Sequence, residues 1–106
     1  MFTKPFCWDE TKNELLKLTR GISFDEVVES IAEAGLLWIS EHPRPERYPG
    51  QKLFAVLIRD YVCIVPYQET EKEIILKTIF PSRKATRDYR KSRERHEKQK
   101  TSKEPF

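Results

Sequence analysis

The chain has little of what most enzyme classes need. Its 106 residues include two cysteines, two histidines and three glycines. Cys7 and Cys63 form no CxxC pair. They indicate neither a zinc ribbon nor a disulfide framework, and free thiols in a reducing cytoplasm are the expectation. Both read as packing residues, as free cysteines usually are. His42 and His96 stand alone, with no HExxH, Cys/His cluster or carboxylate array around them. No metal and no cofactor is therefore expected. Gly21, Gly35 and Gly50 are isolated, so no glycine-rich phosphate loop exists, and no Ser-His-Asp arrangement is evident. No apolar run approaches the roughly 20 residues that cross a bilayer. The opening MFTKPFCWDE lacks the apolar stretch of a secretory signal.

Charge is plentiful and unevenly placed. The charged fraction is 35%, the hydrophobic fraction 38% and the net charge +3. Residues 1–81 hold ten Lys/Arg against thirteen Asp/Glu, whereas residues 82–106 hold ten against four. The basic character thus belongs to the C-terminal quarter, a pattern suited to nucleic acid or an acidic partner. Length predicts one domain, with a core over residues 1–91. From Ser92 to Phe106 the composition is almost wholly charged, which predicts a frayed tail.

Local patterns predict three helices and four strands. Asp9 is a good N-cap for a first helix carrying Leu15, Leu16 and Leu18, stopped by Gly21. Ser23 and Glu26 read as a capping box for a second helix, with Ile22 and Val27 as its hydrophobic staple and Gly35 as its end. Leu36–Ser40, Leu53–Ile58, Tyr61–Tyr67 and Glu73–Phe80 read as strands. Glu41–Gln51, with three prolines and a glycine, reads as a loop, and Asp60 as a tight hairpin. Ser82 opens a last, basic helix. The order α–α–β–β–β–β–α predicts an α+β domain: two N-terminal helices on one face of a small antiparallel sheet of about four strands.

The strand-to-helix passage EIILKTIFPSRKATRDYRK, Glu73–Lys91, is the most informative stretch. Helix N-termini favour anions, and here Arg83 and Lys84 stand on one. Arg83, Arg87 and Arg90 fall at i, i+4 and i+7 and so share a helix face. Arg20 lies at the junction of the first two helices. Arg44 and Arg47 lie in the Pro-rich loop with His42 and Tyr48. Arg44, Arg87, Tyr89, Arg90 and His42 are candidate RNA contacts.

Such a set suits metal-independent RNA cleavage. Attack of the 2′-hydroxyl on phosphate builds negative charge that guanidinium groups stabilise. A base must take the 2′-proton and an acid must protonate the leaving 5′-oxygen. The alternative is that these cations are ordinary solvated surface.

Four stretches together resemble the BrnT-like toxins of the RelE/ParE superfamily, from bacterial type II toxin–antitoxin systems. They are FCWDETKNELLK (Phe6–Lys17), RGISFDEVV (Arg20–Val28), HPRPERYPGQKLFAVLIRDYVCIVPY (His42–Tyr67) and ILKTIFPSRKATRDY, which ends at Tyr89. The resemblance implies a RelE-like fold and an endoribonuclease that arrests translation. It implies a small DNA-binding antitoxin as partner, with operator DNA reached only through that antitoxin. By position it implies Arg20, Arg47, Arg83 and Lys84 as active-site residues. One departure stands out. Where the family commonly has Lys-His-Gly, this chain has Thr19-Arg20-Gly21. Arginine stays protonated and makes a poor base. The proton transfers then fall to Lys84, Tyr89 or His42, or else the chain is a non-catalytic RNA- or protein-binding module of the same fold.

Overall fold

A computed structural model describes residues 2–102, and side chains through Glu94. It is α+β, with three helices and a mixed six-stranded sheet. The elements are β1 (Phe6–Cys7), α1 (Glu10–Arg20), α2 (Phe24–Ala32), β2 (Leu36–Glu41), β3 (Gln51–Ile58), β4 (Tyr61–Glu69), β5 (Ile74–Leu76), β6 (Phe80–Pro81) and α3 (Arg83–Ser102).

The helix caps form as their residues dictate. The Asp9 carboxylate accepts from the amides of Thr11 and Lys12, and Gly21 closes α1 at φ 64°. The Ser23 hydroxyl accepts from the Glu26 amide at 3.2 Å. The reciprocal half of a capping box is replaced, because the Glu26 carboxylate pairs with Arg59 instead. Ile22 and Val27 are both buried in the core. The end of α2 differs from expectation. Ala34, not Gly35, takes the left-handed conformation, at φ 66°. Gly35 is needed for closeness: a Cβ there would run into the hydroxyl and carbonyl of Ser30. Its amide donates to the Ser30 carbonyl at 2.7 Å, and its own carbonyl accepts from Leu57 at 2.8 Å.

Sheet order is β1-β5-β4-β3-β2, with β6 also on β4. The β3–β4 hairpin turns on Arg59 and Asp60, both at positive φ (50° and 66°), the geometry of a type I′ turn. Three features depart from the four-strand antiparallel expectation. β1 is an added strand, and it pairs in parallel with β5. Two residues carry no readable alternation, so the sequence could not show it. Next, the expected strand Glu73–Phe80 is broken into β5 and β6. Leu76 pairs with Tyr67 and Phe80 with Ile64. Three residues (77–79) therefore face two (65 and 66), a bulge. The cause is Pro66, which has no N–H to give this edge of β4; its carbonyl still accepts from the Lys77 amide at 2.8 Å. Finally, α3 carries on past Ser92 to Ser102. The expected frayed tail thus overlaps a helix as far as Ser102, and its remainder, 103–106, lies outside the described residues.

Leu16 of α1 and Phe24, Val27 and Ile31 of α2 meet Phe54, Val56, Ile58, Cys63, Val65 and Tyr67 of the sheet in one core. Alternation along β3 and β4 puts these sheet residues on a single face. Asn13 is fully buried within this layer. Its amide donates to Glu10 and Asp25, and its carbonyl oxygen accepts the Phe24 amide at 2.8 Å. It ties α1 to the first turn of α2.

Candidate nucleic-acid interface

The start of α3 is fixed by a hydroxyl relay. Ser82 is its N-cap, accepting from the Ala85 amide at 3.0 Å. The Ser82 amide donates to the Val62 carbonyl at 2.9 Å. Buried Thr86 then accepts from the Val62 amide at 2.9 Å and donates to the Ser82 carbonyl at 2.7 Å. Two of these four hydrogen bonds hold the first turn of α3 on the outer edge of β4, and the other two close the turn itself. Further along, Arg90 donates to the Asp60 carbonyl at 3.2 Å. The helix thus runs towards the β3–β4 turn.

Arg83, Arg87 and Arg90 do share one face, and they line a groove of about 380 Å³ with Tyr61, Thr86, Lys91 and Glu94. Lys84, on the same first turn, is exposed, as are Arg83 and Arg87. No acidic residue stands in that turn. Two cations therefore sit at the positive end of the helix dipole, where they are mildly unfavourable unless an anion joins them.

Arg20 belongs to this end of the molecule too. Its guanidinium donates to the carbonyl of Ile79, three residues before the Ser82 cap. Ile79 lies between β5 and β6, outside the paired residues, and Arg20 anchors its carbonyl. The contact uses one of five donors. Arg59 also binds here, giving a hydrogen bond to the Gly21 carbonyl at 2.8 Å and pairing with Glu26.

The loop cations are elsewhere. His42 stacks on Tyr48, ring centroids 4.5 Å apart, and Arg47 lies 5.8 Å over the Tyr48 ring. His42 Nδ1 accepts the Arg44 amide at 3.1 Å. This cluster precedes Gln51, which pairs with Gln68, while α3 begins beside Val62, the partner of Leu57. Six strand residues, about 20 Å, separate the two ends of β3. Arg47, Arg44 and His42 therefore do not join Arg20, Arg83 and Lys84 in one centre. Tyr89 is half-buried and outside the groove lining, with the Arg93 guanidinium 5.8 Å from its ring. Lys84 and Asp88, one turn apart on α3, form no ion pair among the described residues.

Three groove residues, Tyr61, Thr86 and Glu94, escaped the sequence reading. Tyr61 directly follows the Arg59-Asp60 turn, so its place beside α3 depends on the 2:2 hairpin geometry and on Thr86. Lys91 falls one turn beyond Arg87 and was legible from spacing alone.

Neither cysteine is poised for reactivity. Burial pushes the Cys63 thiol up to about 11, with Arg59 opposing and Glu26 adding. Burial also raises Cys7, helped by a hydrogen bond with Glu73. Among the described residues, no group of three His, Cys, Asp or Glu converges as metal ligands, and no helix is long and apolar enough to cross a membrane. No family model, curated protein or solved structure matches the chain.

Proposed function

We propose that the chain binds RNA through the groove-bearing face of α3, and that Arg20, Arg83 and Lys84 form the cationic centre of a toxin-type ribonuclease. One observation carries this reading. Arg83 and Lys84 stand on the first turn of α3 with no acidic neighbour in that turn, and Arg20 is held to the peptide that leads into it. Cations gathered at the positive end of a helix are stabilised by a bound phosphate. Arg87, Arg90 and Lys91 extend the positive track along the groove, as a phosphate chain requires. Tyr61 offers a ring on which a base can stack.

In the reaction, the 2′-oxygen bonds to phosphorus and the bond to the 5′-oxygen breaks. The products are a 2′,3′-cyclic phosphate and a 5′-hydroxyl. Arg20 and Arg83 offset the charge on the five-coordinate phosphate. Lys84 is the nearest of the proton-carrying candidates to this centre by sequence. In the wider reading, a small DNA-binding antitoxin made alongside the chain masks this face in the bacterial cytoplasm, and reaches operator DNA on behalf of both.

A second reading is favoured by a specific observation. The separation of the His42–Tyr48 loop from α3 removes the only imidazole among the described side chains, and Arg47, from the centre. The same face then binds RNA without cutting it. Incubating the purified chain with single-stranded RNA, with and without EDTA, separates the two. Cleavage to 2′,3′-cyclic ends, lost in Arg20→Ala and Arg83→Ala, supports the nuclease. Salt-sensitive binding without cleavage supports the binding module. Neither binding nor cleavage ends both readings.

A further inference from the structure

The groove along α3 holds one side chain that a plain phosphate track does not need. Residues 83–94 contain two acidic side chains, Asp88 and Glu94. Asp88 lies outside the groove, whereas Glu94 lines it with Arg87, Arg90 and Lys91. A carboxylate repels phosphate, so at this position it weakens simple electrostatic binding. What it can do is accept hydrogen bonds from a donor.

The frame around Glu94 sets what reaches it. Thr86 holds the Val62 amide, and Arg90 holds the Asp60 carbonyl. Tyr61, between those two residues, is thereby kept half-buried in the wall of the groove. Glu94 follows Arg87 by seven residues, a rise of about 10 Å along the helix. That is close to the span from a nucleotide's phosphate to the far edge of its base. A phosphate on Arg87 and a base on the Tyr61 ring thus bring the base edge to Glu94. The groove, at about 380 Å³, has the size of a small-ligand site.

The chemistry of that edge selects the base. An ionised carboxylate has two acceptor oxygens and no donor. On their Watson–Crick edges, only guanine among the four RNA bases sets two donors side by side, N1–H and the N2 amino group. Adenine and cytosine place a bare ring nitrogen next to their amino group. Uracil places its one N–H between two carbonyls. Each of these turns lone pairs towards the carboxylate. Guanine also carries an acceptor, O6, next to N1. Lys91, three residues before Glu94 and on the same groove, supplies a donor for it.

We infer that the groove reads a guanine base in single-stranded RNA. Tyr61 stacks on the ring, Glu94 accepts from N1–H and the N2 amino group, and Lys91 donates to O6. This rests on the RNA reading of the same face and adds base selectivity to it.

Fluorescence anisotropy of the purified full chain with short oligouridines, each carrying one central G, A or C, tests this. The G-bearing oligomer should bind about tenfold tighter than the others. Glu94→Gln should loosen the G-bearing oligomer and tighten the A-bearing one, because the lost charge eases phosphate repulsion. Tyr61→Leu should loosen all three alike, since stacking tolerates any base. Equal affinity for G, A and C overturns the inference while leaving the RNA reading in place. So does a Glu94→Gln chain that binds all three more tightly, which makes Glu94 a charge and nothing more. Guanosine monophosphate binding as tightly as the G-bearing oligomer also overturns it, because the groove then takes a free nucleotide. Binding of none of the oligomers ends the RNA reading itself, and this inference with it.

Discussion

The two ends of the β3–β4 hairpin both carry arginines, but the arginines do different work. At the turn end, Arg20, Arg59 and Arg90 give hydrogen bonds to backbone carbonyls of Ile79, Gly21 and Asp60. These contacts join segments 30 to 59 residues apart in sequence. At the loop end, Arg44, Arg47, His42 and Tyr48 touch one another and are all within one short segment. The turn end is therefore a built junction on which Arg83 and Lys84 remain exposed. The loop end is a local cluster. Charge alone does not distinguish them; only the position of the carbonyls does.

The largest effect should come from removing the relay that seats α3. Thr86→Val leaves the Val62 amide buried without an acceptor, which costs about 1–3 kcal/mol. Urea unfolding should show the loss. Pro45→Ala, in the exposed loop, should stay within about 0.5 kcal/mol of wild type. Equal effects at the two ends would erase the distinction.

Alkaline pH should also act on the turn end. The Cys63 thiol ionises near 9.0 in an unfolded chain and at about 11 in the fold. Between those values the unfolded state holds one proton fewer, so stability falls as pH rises, by at most about 2–3 kcal/mol. Below about pH 9 the contribution is fully present. Burial raises Tyr67 in the same direction. Unfolding of Cys63→Ala should follow a shallower slope over this range, whatever its overall stability.

RNA affinity gives a smaller but more pointed contrast. Arg83→Ala with Lys84→Ala should weaken binding to single-stranded RNA about tenfold and flatten its salt dependence by a slope of about 1.4. Arg44→Ala with Arg47→Ala removes the same charge and should cost less. The smallest effect lies away from both ends. The hydrogen bond from Lys4 holds the Glu69 carboxyl below the usual carboxylate range. Its contribution is present at neutral pH and disappears as pH falls through that lowered value. Glu69→Gln should remove this part of the acid slope and little else.

The comparison also marks where sequence reading succeeded. Asp9, Gly21 and Ser23 cap helices through neighbours two to four residues away, so their roles are visible in order. The common face of Arg83, Arg87 and Arg90 follows from helical spacing alone. The hairpin at Asp60 was marked by its turn residues. Pro66 is a proline near the end of the Tyr61–Tyr67 strand pattern, but its consequence, the break between β5 and β6, needs a partner strand. Asn13 and Thr86 look like ordinary polar helix residues until burial makes each a bridge. Arg20, Arg47, Arg83 and Lys84 were joined by resemblance; Arg20, Arg83 and Lys84 stand at the turn end, whereas Arg47 stands in the loop at the other end of β3.

The most direct test is amide chemical-shift mapping as a short single-stranded RNA is titrated into the chain. Shifts at Tyr61, Ile79–Ser82 and Arg83–Lys91, with His42–Gly50 unmoved, are the expected result. Shifts centred on His42–Gly50, with α3 silent, would contradict it.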